Sequence, residues 1–198
     1  MLLDSTRPIG EIVNTDQGCP KNTSAGVLKS CLDPENTWYA LRATYSRELK
    51  VQTALNERGV KTFVPMMWKE KKLVPAISGL CFVYWTKEEI DAYIRSFGDA
   101  RPVNYYWDRT INAPLTVPGK AMEDFIAVAS TLDKDLIYIT EISEKLREGQ
   151  KVKVKEGPFK GVEGKIVRIR KSRRILVELP GMLAVASTYV SADEIEII

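Results

Sequence analysis

The side chains that could do chemistry in this chain are few. Its 198 residues include three cysteines, Cys19, Cys31 and Cys81, and no histidine. Without histidine the common zinc sets lack ligands, and a cysteine nucleophile lacks its usual base. Cys19 and Cys31 stand too far apart for a Cys-x-x-Cys clip and lie in a polar stretch, whereas Cys81 lies in an apolar run and reads as core filler. All three are expected to be free thiols in a reducing compartment. Glu88, Glu89 and Asp91 gather near the start of a predicted helix, where negative charge suits the helix dipole without acid–base work. There is no glycine-rich phosphate loop, metal-ligand cluster or nucleophile–base pair. On these residues an enzyme is not expected, a carboxylate-only one being the remaining alternative, and neither metal nor cofactor is expected.

Binding chemistry is better represented. The net charge is +3, but residues 1–36 sum to −2 while residues 149–174 carry ten basic and two acidic side chains, net +8. Such a local field suits a polyanionic partner, and lysines on strand edges also serve simply as a solvated face. The run Ile77-Ser-Gly-Leu-Cys-Phe-Val-Tyr-Trp85 is apolar enough for a strand buried on both faces. From this run alone Leu80 and Phe82 read as sheet core.

The elements that must position these groups follow from periodicity. Residues 1–36, rich in Asn, Ser, Thr, Gly, Asp and Pro, have the composition of a mobile tail. Trp38–Thr44 suits a central strand. Ser46 suits a helix cap, followed by an apolar stripe of Leu49, Val51, Ala54 and Leu55, with Glu48 facing water and Gly59 ending the helix. Lys61–Pro65 is a short strand, residues 68–75 are an arm of a charged hairpin, and Ile77–Trp85 is the buried strand. Thr86 caps a second helix, Val103–Trp107 is a strand, and Pro118 opens a third helix lined by Met122, Phe125, Ile126 and Ala129. This order predicts an α+β sandwich with helices on an antiparallel sheet over 37–130. A linker follows over 131–148, in which Leu136–Ile139 is apolar enough to dock on either unit. From 149 to 198, short β-branched alternations at Val152, Val154, Ile166, Val167, Ile175 and Val177, joined by turns at Gly157-Pro158 and Gly161, predict a small, permanent barrel. The N-terminus lacks a signal-peptide core and no 18-residue apolar window occurs, so a soluble cytoplasmic protein without membrane contact is expected.

Two stretches carry a resemblance. Gly149–Ile169, with strand, Gly157-Pro158-Phe159 turn, Lys160, Gly161, Gly164 and strand, resembles a KOW motif, which builds an SH3-like barrel. Trp38-Tyr39, Tyr45-Ser46-Arg47-Glu48, Phe63-Val64-Pro65 and Ser78–Val83 are similar to the NGN domain of NusG-type factors. The segments Tyr106–Thr110, Pro114–Pro118 and Met122–Ile126 look more specifically like the UpxY subgroup, antiterminators of capsular polysaccharide operons.

The resemblance implies a monomeric transcription factor that bridges RNA polymerase and suppresses pausing and termination. An apolar concavity of Leu80, Phe82, Ile77 and Arg42, with Tyr39 and Phe63 nearby, would meet the β′ clamp helices. A rim around Asp91 and Tyr93 would reach the β subunit. Arg47, Lys50, Lys69, Lys71 and Lys72 would touch phosphates of non-template DNA or a nascent leader RNA. The barrel loop Leu179-Pro180-Gly181-Met182 has Pro180 where the general factor has an aromatic, which speaks against its ribosome and Rho partnerships. The alternative is a ribosome- or RNA-associated KOW protein, motivated by the +8 segment.

Overall fold

The computed structural model describes residues 36–100, 102–141, 149–169 and 171–198. The expected tail, with Cys19 and Cys31, and the charged half of the expected linker fall outside the described residues. Strand β1 (Thr37–Ala43) runs down the middle of a sheet ordered β2 (Lys61–Phe63), β5 (Leu80–Trp85), β1 and β6 (Val103–Tyr105), with the short β9 (Thr116–Val117) also pairing with β1. All its ladders are antiparallel. Alternation assigns each side chain a face. Register places Trp38 opposite Tyr84, Ala40 opposite Phe82 and Arg42 opposite Leu80, with Phe63 of β2 on the other flank of Phe82. One face of the sheet thus carries Trp38, Ala40, Leu80 and Phe82. The other carries Tyr39, Leu41, Ala43, Cys81 and Val83.

Helices cover both faces. α1 (Glu48–Asn56) and α2 (Lys87–Arg95) set Val51, Leu55, Ile90 and Tyr93 against the second face. α3 (Gly119–Ala129) sets Met122, Phe125, Val128 and Ala129 against the first. Thr86 caps α2 as expected: its hydroxyl accepts from the Glu89 N–H at 3.3 Å and donates to the Glu89 carboxylate at 2.8 Å.

The start of α1 departs from the expectation. Its N-cap is Arg47 without a side-chain bond, because Tyr45 (φ 58) and Ser46 (φ 50) form a left-handed turn that displaces the helix entry. The buried stripe becomes Glu48, Val51 and Leu55, while Leu49 is 41% exposed. Glu48 is therefore inward and its carboxylate lies in the first helical turn, where the dipole favours it. The strand expected from Ile77 begins at Leu80. Residues before it turn at Gly79 (φ 75), where a Cβ would meet the Ala43 carbonyl oxygen at 2.7 Å. The run expected as one strand over 103–107 is split between β6 and β7 (Trp107–Asp108), which pairs with β8 (Ala113–Pro114).

The charged hairpin is present as β3 (Met66–Lys69) and β4 (Lys72–Pro75), turning on Glu70 (φ 48) and Lys71 (φ 67), the backbone of a tight two-residue reversal.

The C-terminal unit is all-β. Its strands are β11 (Lys151–Val154), β12 (Glu163–Ile169), β13 (Ser172–Leu179), β14 (Leu183–Tyr189) and β15 (Ile195–Ile197). They form a barrel-like antiparallel sheet in the order β14-β13-β12-β11-β15. Val152, Val154, Ile175, Val177, Leu179, Leu183 and Val185 fill its interior, so the alternation read from sequence is the packing alternation. Gly164 lets β12 cross β13 closely: a Cβ there would lie 2.6 Å from the Leu176 carbonyl oxygen.

The linker is the main surprise. Residues 137–139 are a strand, β10 (Ile137–Ile139), which adds to the barrel sheet by pairing with β14. The Tyr138 ring also lies 6.4 Å from Phe125 of α3, and its hydroxyl donates to the Met66 carbonyl at 3.1 Å. The Trp68 indole donates to the Leu132 carbonyl at 2.9 Å. The apolar stretch Leu136–Ile139, expected to dock on either unit, touches both. α3 itself packs on β13 and β14, and its Lys120 donates to Asp124 and to the Gly161 carbonyl of the barrel. Sheet domain and barrel therefore share one continuous apolar cluster.

Candidate interaction surface

The six residues expected to form one concavity do not share one environment. Leu80 and Phe82 are fully buried. Their side chains point under α3, with the Phe82 and Phe125 rings 5.9 Å apart. The expectation of exposed anchors is corrected at these two positions: the sheet uses them for its own core. Phe63 and Ile77 are half-buried at the edge of the same cluster, and Arg42 is exposed on the same sheet face. Tyr39 is also corrected. Odd positions of β1 point to the opposite face, where Tyr39 is 8% exposed with its ring 5.7 Å from Tyr105.

The expected rim is likewise divided. Tyr93 is core, because positions 90 and 93 of α2 face the sheet; its ring stacks edge-on to Phe97 at 5.1 Å, with the Arg58 guanidinium at 5.1 Å. Asp91 lies one step round the helix. The Lys87 ammonium at 2.7 Å holds its carboxyl below the ordinary range, and the Tyr105 hydroxyl donates to it at 2.9 Å. Burial, together with that carboxylate acceptor, pushes the Tyr105 hydroxyl up. Asp91 is thus a firmly ionised group at the α2–β6 edge, adjoining Tyr39 rather than the Ile77 side. Burial pushes the Cys81 thiol up to about 12, so it is protonated at neutral pH and fills space.

The five residues expected to touch nucleic acid fall in two groups, Arg47 and Lys50 at the start of α1 and Lys69, Lys71 and Lys72 on the β3–β4 hairpin. Arg47, Lys50, Lys69, Lys71 and Lys72 are all exposed. Three bonds show that the turn before α1 and the base of the hairpin start from the same end of the sheet. The Ala43 N–H donates to the Gly79 carbonyl at 2.7 Å, joining the end of β1 to the start of β5. The Ala76 N–H donates to the Pro65 carbonyl at 2.8 Å and closes the base of the hairpin. The Ser46 and Ser78 hydroxyls meet at 3.3 Å. The turn bearing Arg47 and the hairpin bearing the lysines leave from that one end. Lys69 and Lys72 stand directly opposite each other. Like charges so placed repel unless an anion lies between them. Among the described residues none of the five cations is in an ion pair.

The ring at this end is Tyr45, read from the sequence only as part of the Tyr45–Glu48 resemblance and given no contact role there; it is 87% exposed, with the Arg47 guanidinium 5.7 Å from its centroid. A signal was available, since Tyr45 falls after the strand alternation and before the helical stripe and has no core position in either. Trp68 (40% exposed) and Leu73 (39%) add apolar surface to the hairpin.

On the barrel, the basic stretch is partly neutralised. Lys153 pairs with Glu163 at 3.5 Å and Lys165 with Glu178 at 3.1 Å. Arg174 is no surface cation but 9% exposed, donating to the Asp135 and Ser187 carbonyls at 2.7 Å each, so that it ties the linker to β14. The loop with Pro180 and Gly181 turns toward the sheet domain, where a Cβ on Gly181 would lie 3.7 Å from Leu115. No helix among the described residues is long and apolar enough to cross a membrane.

With this geometry in hand, the comparisons are informative about class. Residues 36–126 match the family profile described as transcription termination factor nusG. Residues 148–178 match the KOW motif. No curated protein matches the chain. A solved structure described as "Domain interaction in Thermotoga maritima NusG" is 18% identical over 82% of this chain and 97% of its own, with a TM-score of 0.43, a likeness too low to carry an argument. The two profiles fall consecutively on the helix-covered sheet and then on the barrel, so the chain is NusG-like in its domains, a NusG-type domain over 36–126 followed by a KOW motif over 148–178.

Proposed function

We propose that this chain binds RNA polymerase through its sheet domain and suppresses pausing and termination on a restricted set of operons, as the UpxY-like segments at 106–110, 114–118 and 122–126 suggest for capsular polysaccharide synthesis. The observation that carries the reading is the NusG match over 36–126 on a domain that keeps apolar side chains at the surface of one sheet face and unpaired cations at one sheet end. Ile77, Phe63 and Arg42 form the reachable contact for the β′ clamp helices, and Leu80 and Phe82 are its floor. A helix laid on such a surface needs apolar anchors that the sheet does not fully cover, which Ile77 and Phe63 are. Asp91, at the α2 edge, is the group that faces the β subunit, and Tyr39 and Tyr93 support it from the core. Arg47, Lys50, Lys69, Lys71 and Lys72 hold nucleic-acid phosphates.

A clamp helix on this face shares its apolar cluster with Tyr138, so docking competes with the linker strand. The Tyr138 and Trp68 hydrogen bonds that fasten the linker are each worth about 1 kcal/mol net, a hold that a large interface exceeds. Pro180 at the tip of the barrel loop argues against ribosome and Rho contacts, and the ion pairs at Glu163 and Glu178 weaken the reading as a general RNA-binding barrel.

Transcription through a terminator by purified polymerase is the functional test. Added chain is expected to raise read-through and shorten pauses on a template carrying the operon's own leader. Unchanged read-through there contradicts the antitermination reading.

A further inference from the structure

We propose that the cavity between the base of the β3–β4 hairpin, the linker and the barrel binds a small organic carboxylate, with Arg174 holding the carboxylate and the apolar walls holding its body. None of the residues lining this cavity is among those assigned to polymerase or nucleic acid, so the inference stands apart from the proposed function.

The cavity has a volume of about 300 Å³. Met67, Ala76, Leu136 and Tyr138 supply apolar wall, and Lys134 and Arg174 supply positive charge. Arg174 is the unusual member. It is 9% exposed, yet among the described residues it has no ion pair. A guanidinium is always charged in a protein, and a charge held away from water ordinarily has a counter-ion. Its Nη1 donates to the Asp135 and Ser187 carbonyls, but its Nε is buried and donates to nothing. The neighbours offer no anion. Asp135 gives Arg174 its carbonyl rather than its carboxylate, and the Asp133 carboxylate accepts from the Asp135 N–H at 2.8 Å. The strand partners of Arg174 are Val167 and Tyr189. The position is also specially built. The β13–β14 register shifts between Arg174 and Leu176, and the Ser187 hydroxyl accepts the Ile175 N–H there at 3.0 Å. Such a bulge re-aims a side chain, and this one meets the linker.

The surroundings select the ligand. Arg174 and Lys134 set against Asp135 leave one net positive charge around the cavity, which suits a monoanion. A phosphate dianion would bring a charge in excess and meet the Asp135 carboxylate. The unpartnered donors of a guanidinium form a planar fork, and a carboxylate presents two oxygens in the matching plane. The apolar walls ask for a hydrocarbon body, and a volume at the low end for ligand cavities limits it to a ring or a short chain. Such a ligand touches three parts of the fold at once. Met67 and Ala76 belong to the hairpin, Leu136 and Tyr138 to the linker, and Arg174 to the barrel. The Tyr138–Met66 and Trp68–Leu132 hydrogen bonds already fasten hairpin to linker. The ligand adds a further hold and stabilises that arrangement in proportion to its occupancy.

Isothermal titration of the full chain with phenylacetate, hexanoate, the uncharged phenylacetamide and inorganic phosphate tests the site. At least one of the two carboxylates is expected to bind a single site per chain with a Kd of about 1 mM. At ten times that Kd it is expected to raise the melting temperature by about 4 °C. Phenylacetamide and phosphate are expected to bind about ten-fold more weakly or not at all. Ala76→Leu fills the cavity and keeps the guanidinium, and is expected to weaken binding about ten-fold or more. Arg174→Lys keeps the charge and loses the fork, with an expected loss of about ten-fold. Thermal melts of the unliganded variants show which of them fold, and Ala76→Leu carries the test where Arg174→Lys does not. No saturable binding of either carboxylate overturns the proposal. Equal binding of phenylacetamide reduces the site to an apolar cavity, and tighter binding of phosphate refutes the ligand class; both overturn it. Wild-type affinity in folded Ala76→Leu or folded Arg174→Lys puts the ligand elsewhere and overturns it too.

Discussion

Replacing Phe125 with alanine is expected to destabilise the protein by about 3–5 kcal/mol, a large share of the 5–15 kcal/mol typical of a folded domain. Phe125 is fully buried in the middle of α3. Its ring lies 6.2 Å from Phe63, 5.9 Å from Phe82 and 6.4 Å from Tyr138, in edge-on geometry each time. Those partners belong to β2, β5 and the linker strand. Truncation removes the transfer energy of the ring, leaves a cavity that three elements would have to collapse into, and loses the aromatic contacts as well. Chemical denaturation monitored by tryptophan fluorescence measures it. A loss under 1 kcal/mol would mean that α3 does not sit on the sheet in this way. Phe125→Leu, which keeps most of the volume, is expected to recover much of the loss.

The second expected result concerns binding. Ile77→Asp should leave the fold nearly intact and weaken polymerase binding about ten-fold or more, as loss of a central apolar anchor does in other interfaces. Ile77 lies in the turn before β5 and is half-buried, so a carboxylate there keeps a route to water. Leu80→Asp and Phe82→Asp are unsuitable for this purpose. Both residues are fully buried, and an unpaired charge at either site would unfold the domain and abolish binding indirectly. Immobilised core polymerase, titrated with folded wild-type and Ile77→Asp protein, gives the affinities. Equal affinities would remove this face from the polymerase contact.

Much of this fold was legible because its signals are local. Alternation at Val152, Val154, Ile175 and Val177 marked the barrel strands, and Thr86 marked a helix start. The site was only partly legible. Periodicity says that Leu80 and Phe82 point one way and Cys81 and Val83 the other, but not which helix covers each face. α3, nearly forty residues downstream, decides that Leu80 and Phe82 are core. The misplacement of Tyr39 was avoidable, since two-residue alternation from Trp38 and Ala40 puts it on the opposite face. The displacement of α1 was not, because nothing in Tyr45-Ser46 announces a left-handed turn; it shifted burial from Leu49 to Glu48. Arg174 stands in a run of cations and reads locally as one more solvated charge, yet its two carbonyl acceptors are on Asp135 and Ser187, residues brought together by the β10–β14 pairing. Long-range pairing of this sort leaves no trace in local composition.

On the proposed function, this NusG-like chain meets RNA polymerase through the Ile77–Phe63–Arg42 side of its sheet domain. A photo-crosslinking residue placed at Ile77 and exposed to a halted elongation complex tests it directly. The account predicts crosslinks to the clamp helices of the β′ subunit, with the same residue placed at exposed Tyr189 of the barrel giving none there. Crosslinks from Ile77 to ribosomal proteins alone, or none to any polymerase subunit, would contradict it.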